Sequence, residues 1–387
     1  MSGAPVIQGW CPGALRPMLS GDGWVVRVRP HLGRLSSAEA AGLAALASAH
    51  GSGVIDLSAR ANVQLRGVTE ASHPALIEGL RRLGLVDASP EAEARRNITL
   101  QPFWTPGDAT ERIAHALDDM SIAADALDLP GKFGVAVDCG PLPLLRDISA
   151  DIRVERAADG GLVVAADGMD TGAPVSVAEV PAMVAELQHW FLGAGGSVAG
   201  RGRMRGLLAR AARPPARFAA CALQGVAATE PEPGIGVLGG MVGVEFGQMR
   251  AETLAALASL GPLRVTPWRM LLVEGAREMP DIPGLLTDPG DPLRRVVACT
   301  GAPGCLQGLQ ATRALARRLA PRLRTGLLHV SGCAKGCAHP GTAERVLVAT
   351  SAGFDLVRGG RAGDAPALRG LTVADLEARS ELWNGSH

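Results

Sequence analysis

The chain has 387 residues, of which 47% are hydrophobic, and its 38 basic and 38 acidic side chains cancel to a formal net charge of zero. This length and apolar content predict roughly two to three folding units, and the balanced charge gives no support for nucleic-acid binding. The opening residues lack a charged segment followed by an apolar one, and no run of ~18 apolar residues occurs. We therefore expect a cytoplasmic protein with no membrane partner.

Two stretches of the chain predict the same order of strand, helix and strand. Residues 24–68 contain WVVRVRP, SSAEAAGLAALASAHG and GVIDLSARANVQLRGV, and residues 241–275 contain MVGVEFGQM, RAETLAALASLG and LRVTPWRMLLVEG. In both stretches the middle segment has apolar residues three and four apart, which indicates a helix with one buried face. We name these units A and A′.

Each of these units is followed by a longer stretch, and the two longer stretches are similar to each other. RRNITLQP at 95–102 is similar to RRVVACTG at 294–301, and LPGKFGVAVDCG at 129–140 is similar to LRTGLLHVSGCA at 323–334. Between them, helical patterns occupy residues 110–127 and 306–320. Strands that alternate with helices in this way predict larger α/β units, which we name B and B′.

The order A–B–A′–B′ predicts an α+β protein that is duplicated about a pseudo-twofold axis. Pro- and Gly-rich stretches at 228–236 and 281–292 separate A′ from its neighbours. A site on the axis would take residues from both halves. The expected units are residues 1–85, 86–227, 228–283 and 284–387.

The strongest chemical signal is a pair of cysteine motifs in unit B′. Five residues separate Cys299 from Cys305, and three separate Cys333 from Cys337. Four thiolates commonly hold an iron–sulfur cluster, and the glycines in these motifs let backbone approach a bulky inorganic core. A structural zinc site is the alternative, but zinc ribbons favour cysteines separated by two residues. We predict a [4Fe–4S] cluster.

The other cysteines are interpreted as ordinary small apolar residues: Cys11, Cys139 and Cys221.

Lysine is nearly absent from this chain. Only Lys132 and Lys335 are lysines, and the other 36 basic residues are arginines. A GC-rich genome explains the general bias, but a compact ammonium has properties that a guanidinium lacks, so both lysines are candidate site residues.

Arg27 and Arg29 lie two apart on a predicted strand and therefore share one face. Guanidinium groups suit carboxylates, although solvated surface charge remains an alternative.

These features together resemble the sulfite and nitrite reductase superfamily. In that superfamily two ferredoxin-like half-domains pair, two α/β domains flank them, and a tetrapyrrole lies at the junction beside the cluster. The resemblance covers nearly the whole chain. It implies that Cys337 matches the cysteine that bridges the cluster and the sirohaem iron.

The resemblance also implies which residues face the tetrapyrrole. The matching segments are VVRVRPHLG at 25–33, LSARANVQLRG at 57–67, RRNIT at 95–99 and LPGKFG at 129–134. The implied catalytic residues are Arg27, Arg96 and Lys132. The residues implied to bind the carboxylates of the macrocycle are Arg29, Arg60, Asn62, Gln64, Arg66, Arg264, Arg269 and Lys335.

Departures from the reductase pattern favour one branch of the superfamily. Gly134 stands where the reductases have a second lysine. The loss of this cation weakens the argument that the protein carries out a six-electron reduction of sulfite or nitrite. TPWRMLLVEG at 266–275 and SGCAKGCAHPG at 331–341 look like segments of the precorrin-3B synthase family. That family hydroxylates precorrin-3A at C20 with formation of a γ-lactone, in aerobic cobalamin biosynthesis.

The same resemblance implies cofactors and partners. Besides the [4Fe–4S] cluster it implies a mononuclear non-haem iron, dioxygen, and an external electron donor that is a ferredoxin or an NADH-linked reductase. Histidine candidates for the iron are His31, His329 and His339. One alternative function is a sirohaem-dependent sulfite or nitrite reductase, in which the tetrapyrrole is a cofactor. Another is a non-catalytic electron-transfer module, although a bare ferredoxin would not need the arginine-bearing units.

Two further motifs do not support another function. Gly234, Gly236 and Gly239 match a dinucleotide fingerprint, but that fingerprint needs a strand before it and a helix after it. Here a strand pattern follows. The Arg-rich residues 200–217 have no interleaved aromatic side chains for base stacking, so we expect a basic helix and no nucleic-acid partner.

Overall fold

The protein was analysed as a computed structural model that describes residues 11–123 and 126–383. In these ranges no helix is both long and apolar enough to cross a membrane. The described strands form four sheets, one centred on each of the units A, B, A′ and B′.

Units A and B form the first half of the molecule. The elements of A are β1 (Met18–Ser20), β2 (Gly23–Val28), β3 (Arg34–Leu35), α1 (Ser37–His50), β4 (Val54–Leu57), β5 (Val63–Val68) and α2 (His73–Arg82). Those of B are α3 (Pro90–Arg95), β6 (Ile98–Leu100), α4 (Ala109–Ile122), β7 (Val135–Asp138), β8 (Ile152–Arg156), β9 (Leu162–Ala166), β10 (Thr171–Val175), α5 (Val180–Gly193), α6 (Met204–Ala209) and β11 (Cys221–Ala222).

Units A′ and B′ form the second half. The elements of A′ are β12 (Gly234–Gly236), β13 (Gly239–Val244), β14 (Gln248–Arg250), α7 (Ala251–Ala258), β15 (Leu263–Val265), β16 (Met270–Glu274) and β17 (Leu285–Leu286). Those of B′ are β18 (Val296–Ala298), α8 (Arg313–Leu319), β19 (Leu328–Ser331), β20 (Ala343–Thr350), β21 (Gly353–Gly360), β22 (Leu368–Leu371) and α9 (Val373–Ala378).

Units A and A′ exchange strands. Strand β14 of A′ pairs with β4, which gives the sheet order β1-β2-β5-β4-β14, and β3 of A pairs with β15, which gives β12-β13-β16-β15-β3. Each exchanged strand follows a one-turn helix, in which Leu32 and Phe246 have φ of 54° and 53°. Helix α1 packs against α7, and the apolar faces of both sheets share one core. Neither sheet is complete without a strand from the other half.

Units B and B′ repeat one topology. In B the strands β6, β7 and β8 are parallel neighbours, and β9 and β10 follow antiparallel. In B′ the strands β18, β19 and β20 are parallel, and β21 and β22 follow antiparallel. The predicted duplicated α+β architecture is therefore confirmed in the connectivity of both pairs of units.

Two predicted strands are hairpins in the structure. In A and A′ the chain turns between β4 and β5 and between β15 and β16, where Ala61 and Arg269 have positive φ of 52° and 60°. The hydroxyl groups of Ser58 and Thr266 accept hydrogen bonds from the backbone N–H groups that follow these turns. The two turns occupy equivalent positions in the duplicated halves.

Two predicted helices are shorter in the structure. In B′ the helix starts only at Arg313, because the preceding backbone bonds to the cysteine loops instead, with Leu309 N–H donating to the Gly332 carbonyl at 2.9 Å. In the Arg-rich segment only α6 is helical. Two arginines there bind buried carboxylates: Arg203, just before α6, binds Asp151, and Arg205, within α6, binds Asp167.

The junction between β6 and β7 is packed tightly around Gly134. A Cβ atom at Gly134 would lie 2.9 Å from both the Asn97 side-chain nitrogen and the Asn97 carbonyl oxygen. The Asn97 amide donates to the Phe133 carbonyl at 2.8 Å, and Gly134 N–H donates to Asp151 at 3.1 Å. These bonds hold the surrounding atoms in place, so this position has no room for a side chain.

We predict that Gly134→Ala destabilises the protein by about 1–3 kcal/mol, because the added methyl group must displace Asn97 from a bonded position. Gly131→Ala is the matched control, since no atom lies within 4 Å of a Cβ built there, and its effect should stay within about 0.5 kcal/mol. Urea unfolding of both variants measures this. Equal stabilities for the two variants would contradict the packing described here.

Candidate functional site

The first sheet has one apolar face and one polar face. Val26 and Val28 of β2 point into the shared core, so Arg27 and Arg29 point to the opposite face. Across this face Arg27 lies opposite Gln64, and Gln64 lies opposite Asp56. With its amide oxygen turned toward Arg27, Gln64 accepts from Nη2 at 2.8 Å and from Nε at 3.2 Å. The polar face therefore carries a connected row of site candidates, all of them at least partly buried.

Three cations meet around Cys11 at one end of this face, a group that we call the cation cradle. The charges of Arg27, Arg60 and Lys132 all act on the Cys11 thiol. Arg60 Nη2 donates to the Lys132 carbonyl at 3.0 Å and to Ser149 Oγ at 3.3 Å. In the described residues none of the three cations forms an ion pair with a carboxylate, so the cradle has an excess of positive charge.

The electrostatics of the cradle favour anions. Burial opposes ionisation of Cys11, but Arg27, Arg60 and Lys132 together outweigh it and lower the pKa of the thiol. Burial also lowers the pKa of Arg60, with a smaller contribution from the neighbouring cations. Asp151 acts on Arg60 as well, but its carboxylate is bound by Arg203 at 2.9 and 3.0 Å.

Arg29 and Arg96 each form a buried ion pair with a carboxylate of the protein. Arg29 Nη1 lies 2.9 Å from Glu93, and Arg96 binds both carboxylate oxygens of Asp87 at 2.9 and 3.0 Å. Arg96 also donates to the Arg29 carbonyl at 2.8 Å. Burial lowers the pKa of Arg29 to about 10, against the opposing effect of Glu93. Both guanidinium groups are engaged with the chain's own acids.

Arg66 joins the first sheet to the loop between Cys299 and Cys305. It binds Asp22 at 2.7 Å and Asp56 at 3.0 Å. The carbonyl of Gly304 in that loop accepts three hydrogen bonds from unit A, an arrangement that we call the loop clamp. Its donors are Ser20 Oγ (2.6 Å), Arg66 Nη2 (3.0 Å) and Gly21 N–H (3.2 Å).

Arg264 lies on β15 of the second sheet, at the position that Asp56 occupies on β4 of the first sheet. It shares Glu274 with Arg34, at 2.6 and 2.8 Å, and its guanidinium lies 4.0 Å from the centre of the Trp104 ring. Arg264 Nη1 also donates to the Pro102 carbonyl at 2.7 Å. These contacts fix unit B against the second sheet.

The four predicted cluster cysteines lie on loops from neighbouring parallel strands. Cys299 directly follows β18, and Cys333 follows β19, so both loops leave the same edge of the sheet. Cys337 interacts electrostatically with the other three thiols, and burial raises its pKa and that of Cys333. A Cβ atom on Gly332 would lie 3.1 Å from Gly301 Cα and 3.4 Å from the Cys299 sulfur. Glycine at this point thus lets the two loops approach each other.

Lys335 and Arg269 border these loops. The backbone N–H of Lys335 bonds to the Cys333 sulfur, and its ammonium acts on Cys333 and Cys337. Arg269 donates to the Ala338 carbonyl at 2.7 Å, and its charge acts on Cys299. Both residues therefore lie near the thiols, whereas Lys132 lies at the cation cradle.

The three histidine candidates do not meet at one point with other metal ligands. His31 bonds to Asp118 at 3.2 Å on the surface, whereas the rings of His329 and His339 lie 5.9 Å apart. In the described part of the chain no three or more His, Cys, Asp or Glu side chains form a group placed to bind a metal ion. No ligand set for a mononuclear iron follows from this arrangement.

Sequence reasoning missed two parts of the site. Cys11 was interpreted as an ordinary apolar residue, but the charges of Arg27, Arg60 and Lys132 lower the pKa of its thiol against the opposing effect of burial. The loop clamp was also missed, because a backbone carbonyl carries no sequence signal. Cys139 does fit its interpretation, since burial raises the pKa of its thiol to about 12.

Comparisons with known proteins agree with this architecture. A family model described as the nitrite/sulfite reductase ferredoxin-like half domain matches residues 16–83. The NirA protein of Mycobacterium tuberculosis aligns in structure with a TM-score of 0.63 at 20% identity, over 92% of this chain and 79% of that one. This likeness shows a shared fold.

Two curated relatives are similar over nearly the whole chain. The ferredoxin–nitrite reductase of Synechococcus elongatus is 26% identical, over 93% of this chain and 85% of its own length. The precorrin-3B synthase of a Sinorhizobium species is 30% identical, over 94% of this chain and 85% of its own length. This identity over nearly the whole chain, together with the half-domain match and the shared fold, shows that the chain belongs to the precorrin-3B synthase family.

Proposed function

We propose that this protein converts precorrin-3A to precorrin-3B by oxygen-dependent hydroxylation at C20 with γ-lactone formation. One oxygen atom of dioxygen is retained in the product, and the other leaves as water after taking up two electrons and two protons. An external donor, a ferredoxin or an NADH-linked reductase, supplies the electrons. We propose that the reaction takes place in the cytoplasm.

The cation cradle is the observation that carries this proposal. Arg27, Arg60 and Lys132 converge without a carboxylate partner in the described residues. A buried excess of positive charge is stabilised when an anionic ligand binds, and a uroporphyrin-like macrocycle carries eight carboxylates around its rim. We propose that these three residues hold substrate carboxylates, while Arg66, Arg96 and Arg264 keep the surrounding backbone in position and Arg29 pairs with Glu93.

The four thiols fit an iron–sulfur cluster in residue type, because cysteine thiolates are its usual ligands. They lie on two glycine-rich loops at one sheet edge, and the loop clamp ties the first of these loops to the sheet that carries the cradle. A [4Fe–4S] cluster bound there would supply single electrons. We propose Cys299, Cys305, Cys333 and Cys337 as its ligands. Arg269 and Lys335 would balance its negative charge.

The tight packing around Gly134 supports a tetrapyrrole substrate over a sirohaem cofactor. The second lysine of the reductase pattern cannot be accommodated at this position, since a Cβ atom would collide with Asn97. The cradle therefore lacks a cation that would hold sulfite or nitrite. A sirohaem-dependent reductase remains the alternative outcome of the following test.

The reaction itself is tested with anaerobically purified protein whose iron and sulfide contents have been measured. Precorrin-3A, dioxygen and a reductant should yield a hydroxylated lactone with one oxygen atom from 18O2, detected by mass spectrometry. The absorption spectrum before substrate addition should show iron–sulfur bands without sirohaem bands. Stoichiometric sirohaem, together with sulfite- or nitrite-dependent oxidation of a reduced dye, would contradict the proposal and leave the fold unaffected.

The cluster assignment predicts that serine at any one of the four cysteines lowers acid-labile sulfide and abolishes turnover, because an open iron makes the cluster labile. Cys221→Ser is the matched control, since Cys221 lies outside the two loops on β11, and it should retain full sulfide. The measurement is labile sulfide per chain after anaerobic purification. Full sulfide and unchanged activity in two of the four variants would exclude the assignment.

The cradle assignment predicts that Lys132→Ala lowers the rate at least ~100-fold, the scale expected for loss of a positioned charged group, while the sulfide content stays unchanged. Arg81→Ala is the control, because the Arg81 side chain is 59% exposed and pairs with Glu78 on its own helix. Turnover of both variants is compared at equal cluster content. A wild-type rate for Lys132→Ala would show that this lysine has no part in the reaction.

A further inference from the structure

His329 is a buried histidine without a hydrogen-bond partner. Its side chain lies on β19 with no exposed surface, and neither ring nitrogen has a partner among the described residues. A neutral imidazole offers one N–H donor and one acceptor nitrogen, and a buried polar group that stays unsatisfied costs free energy. Such a group in a native fold indicates a ligand, an ordered water or a redox role.

The surroundings of His329 point toward the cysteine loops. A Cβ atom on Gly336 would lie 3.7 Å from His329 Cε1, so the ring packs beneath the loop that joins Cys333 to Cys337. The His339 ring approaches edge-on at 5.9 Å between centres. The other charged group that acts on His329 is Arg269, which also acts on Cys299.

His329 stays neutral in this position. Burial is the main cause that lowers the pKa of its imidazole to about 4, and the nearby His339 and Arg269 add to the effect. It can therefore donate a single N–H without carrying a charge. Other polar groups of the loop are already satisfied, since Ser331 Oγ donates to the Cys333 carbonyl at 2.7 Å and His339 bonds to the Thr342 carbonyl at 3.0 Å.

We infer that His329 donates a hydrogen bond to a sulfur atom of the proposed cluster and thereby raises its reduction potential. This inference rests on the proposed function only in requiring that the four cysteines hold a cluster. A donor to sulfur stabilises the more negative, reduced form, and hydrogen bonds of this kind are among the factors that set cluster potentials. His329 is thus a positioning and tuning residue and does not ligate iron.

The test is a dye-mediated potential titration of the cluster, followed by electron paramagnetic resonance, in wild type and in variants of equal sulfide content. His329→Phe removes the donor and should favour the oxidised form by about tenfold, a downward shift of about 59 mV for one electron. His329→Gln or His329→Asn, which keep an N–H group, should recover at least half of that shift. His189→Gln, an exposed histidine on α5 that bonds to the Ala185 carbonyl, is the control and should match wild type.

A second measurement keeps His329 in place and so does not depend on the folding of any His329 variant. With 15N-labelled histidine, the reduced cluster should show a nitrogen coupling in pulsed resonance spectra that persists in His339→Gln. Absence of that coupling, or equal potentials for wild type and His329→Phe, would overturn the inference alone. Wild-type protein that binds no cluster would overturn both the inference and the cluster assignment.

Discussion

The exchange of β3 and β14 between units A and A′ is the constraint on which the rest of the structure depends. Because each sheet needs a strand from the other half, the two apolar faces are forced into one core. The opposite face of the first sheet is then free to carry polar side chains, and this face holds Arg27, Gln64 and Arg66. A charged face of this kind is tolerated inside the protein because its neighbours satisfy most of its groups. Among the described residues, the cradle cations have no carboxylate partner.

The cradle and the cysteine loops are coupled through the same sheet face. The loop clamp attaches the Gly304 carbonyl to unit A at one end of the face, and Arg27 lies toward the other end beside Lys132. The contact is close, since a Cβ atom on Gly21 would lie 2.0 Å from the Pro303 carbonyl oxygen. Two side-chain donors and one backbone donor therefore tie the first cysteine loop to the sheet that carries the cradle.

The sequence was informative where chemistry depends on local spacing. The alternation in β2 predicted that Arg27 and Arg29 share a face, and the duplicated patterns predicted the repeated topology of B and B′. Partners distant in sequence could not be predicted: nothing near Arg29 indicates that Glu93 neutralises it. The interpretation of Cys11 failed for the same reason, since Arg27, Arg60 and Lys132 come from three separate segments. His329 resembled any buried strand residue until its surroundings were known.

The central claim is that the cation cradle and the cluster loops serve one tetrapyrrole. A crystal structure of cluster-loaded protein with uroporphyrin III, an available octacarboxylate macrocycle, tests this claim most directly. We expect carboxylates of the macrocycle within hydrogen-bond distance of Arg27, Arg60 and Lys132, with one edge of the ring facing the loop from Cys333 to Cys337. A macrocycle bound away from all three cations, or a cradle closed by a carboxylate of the protein itself, would contradict the account.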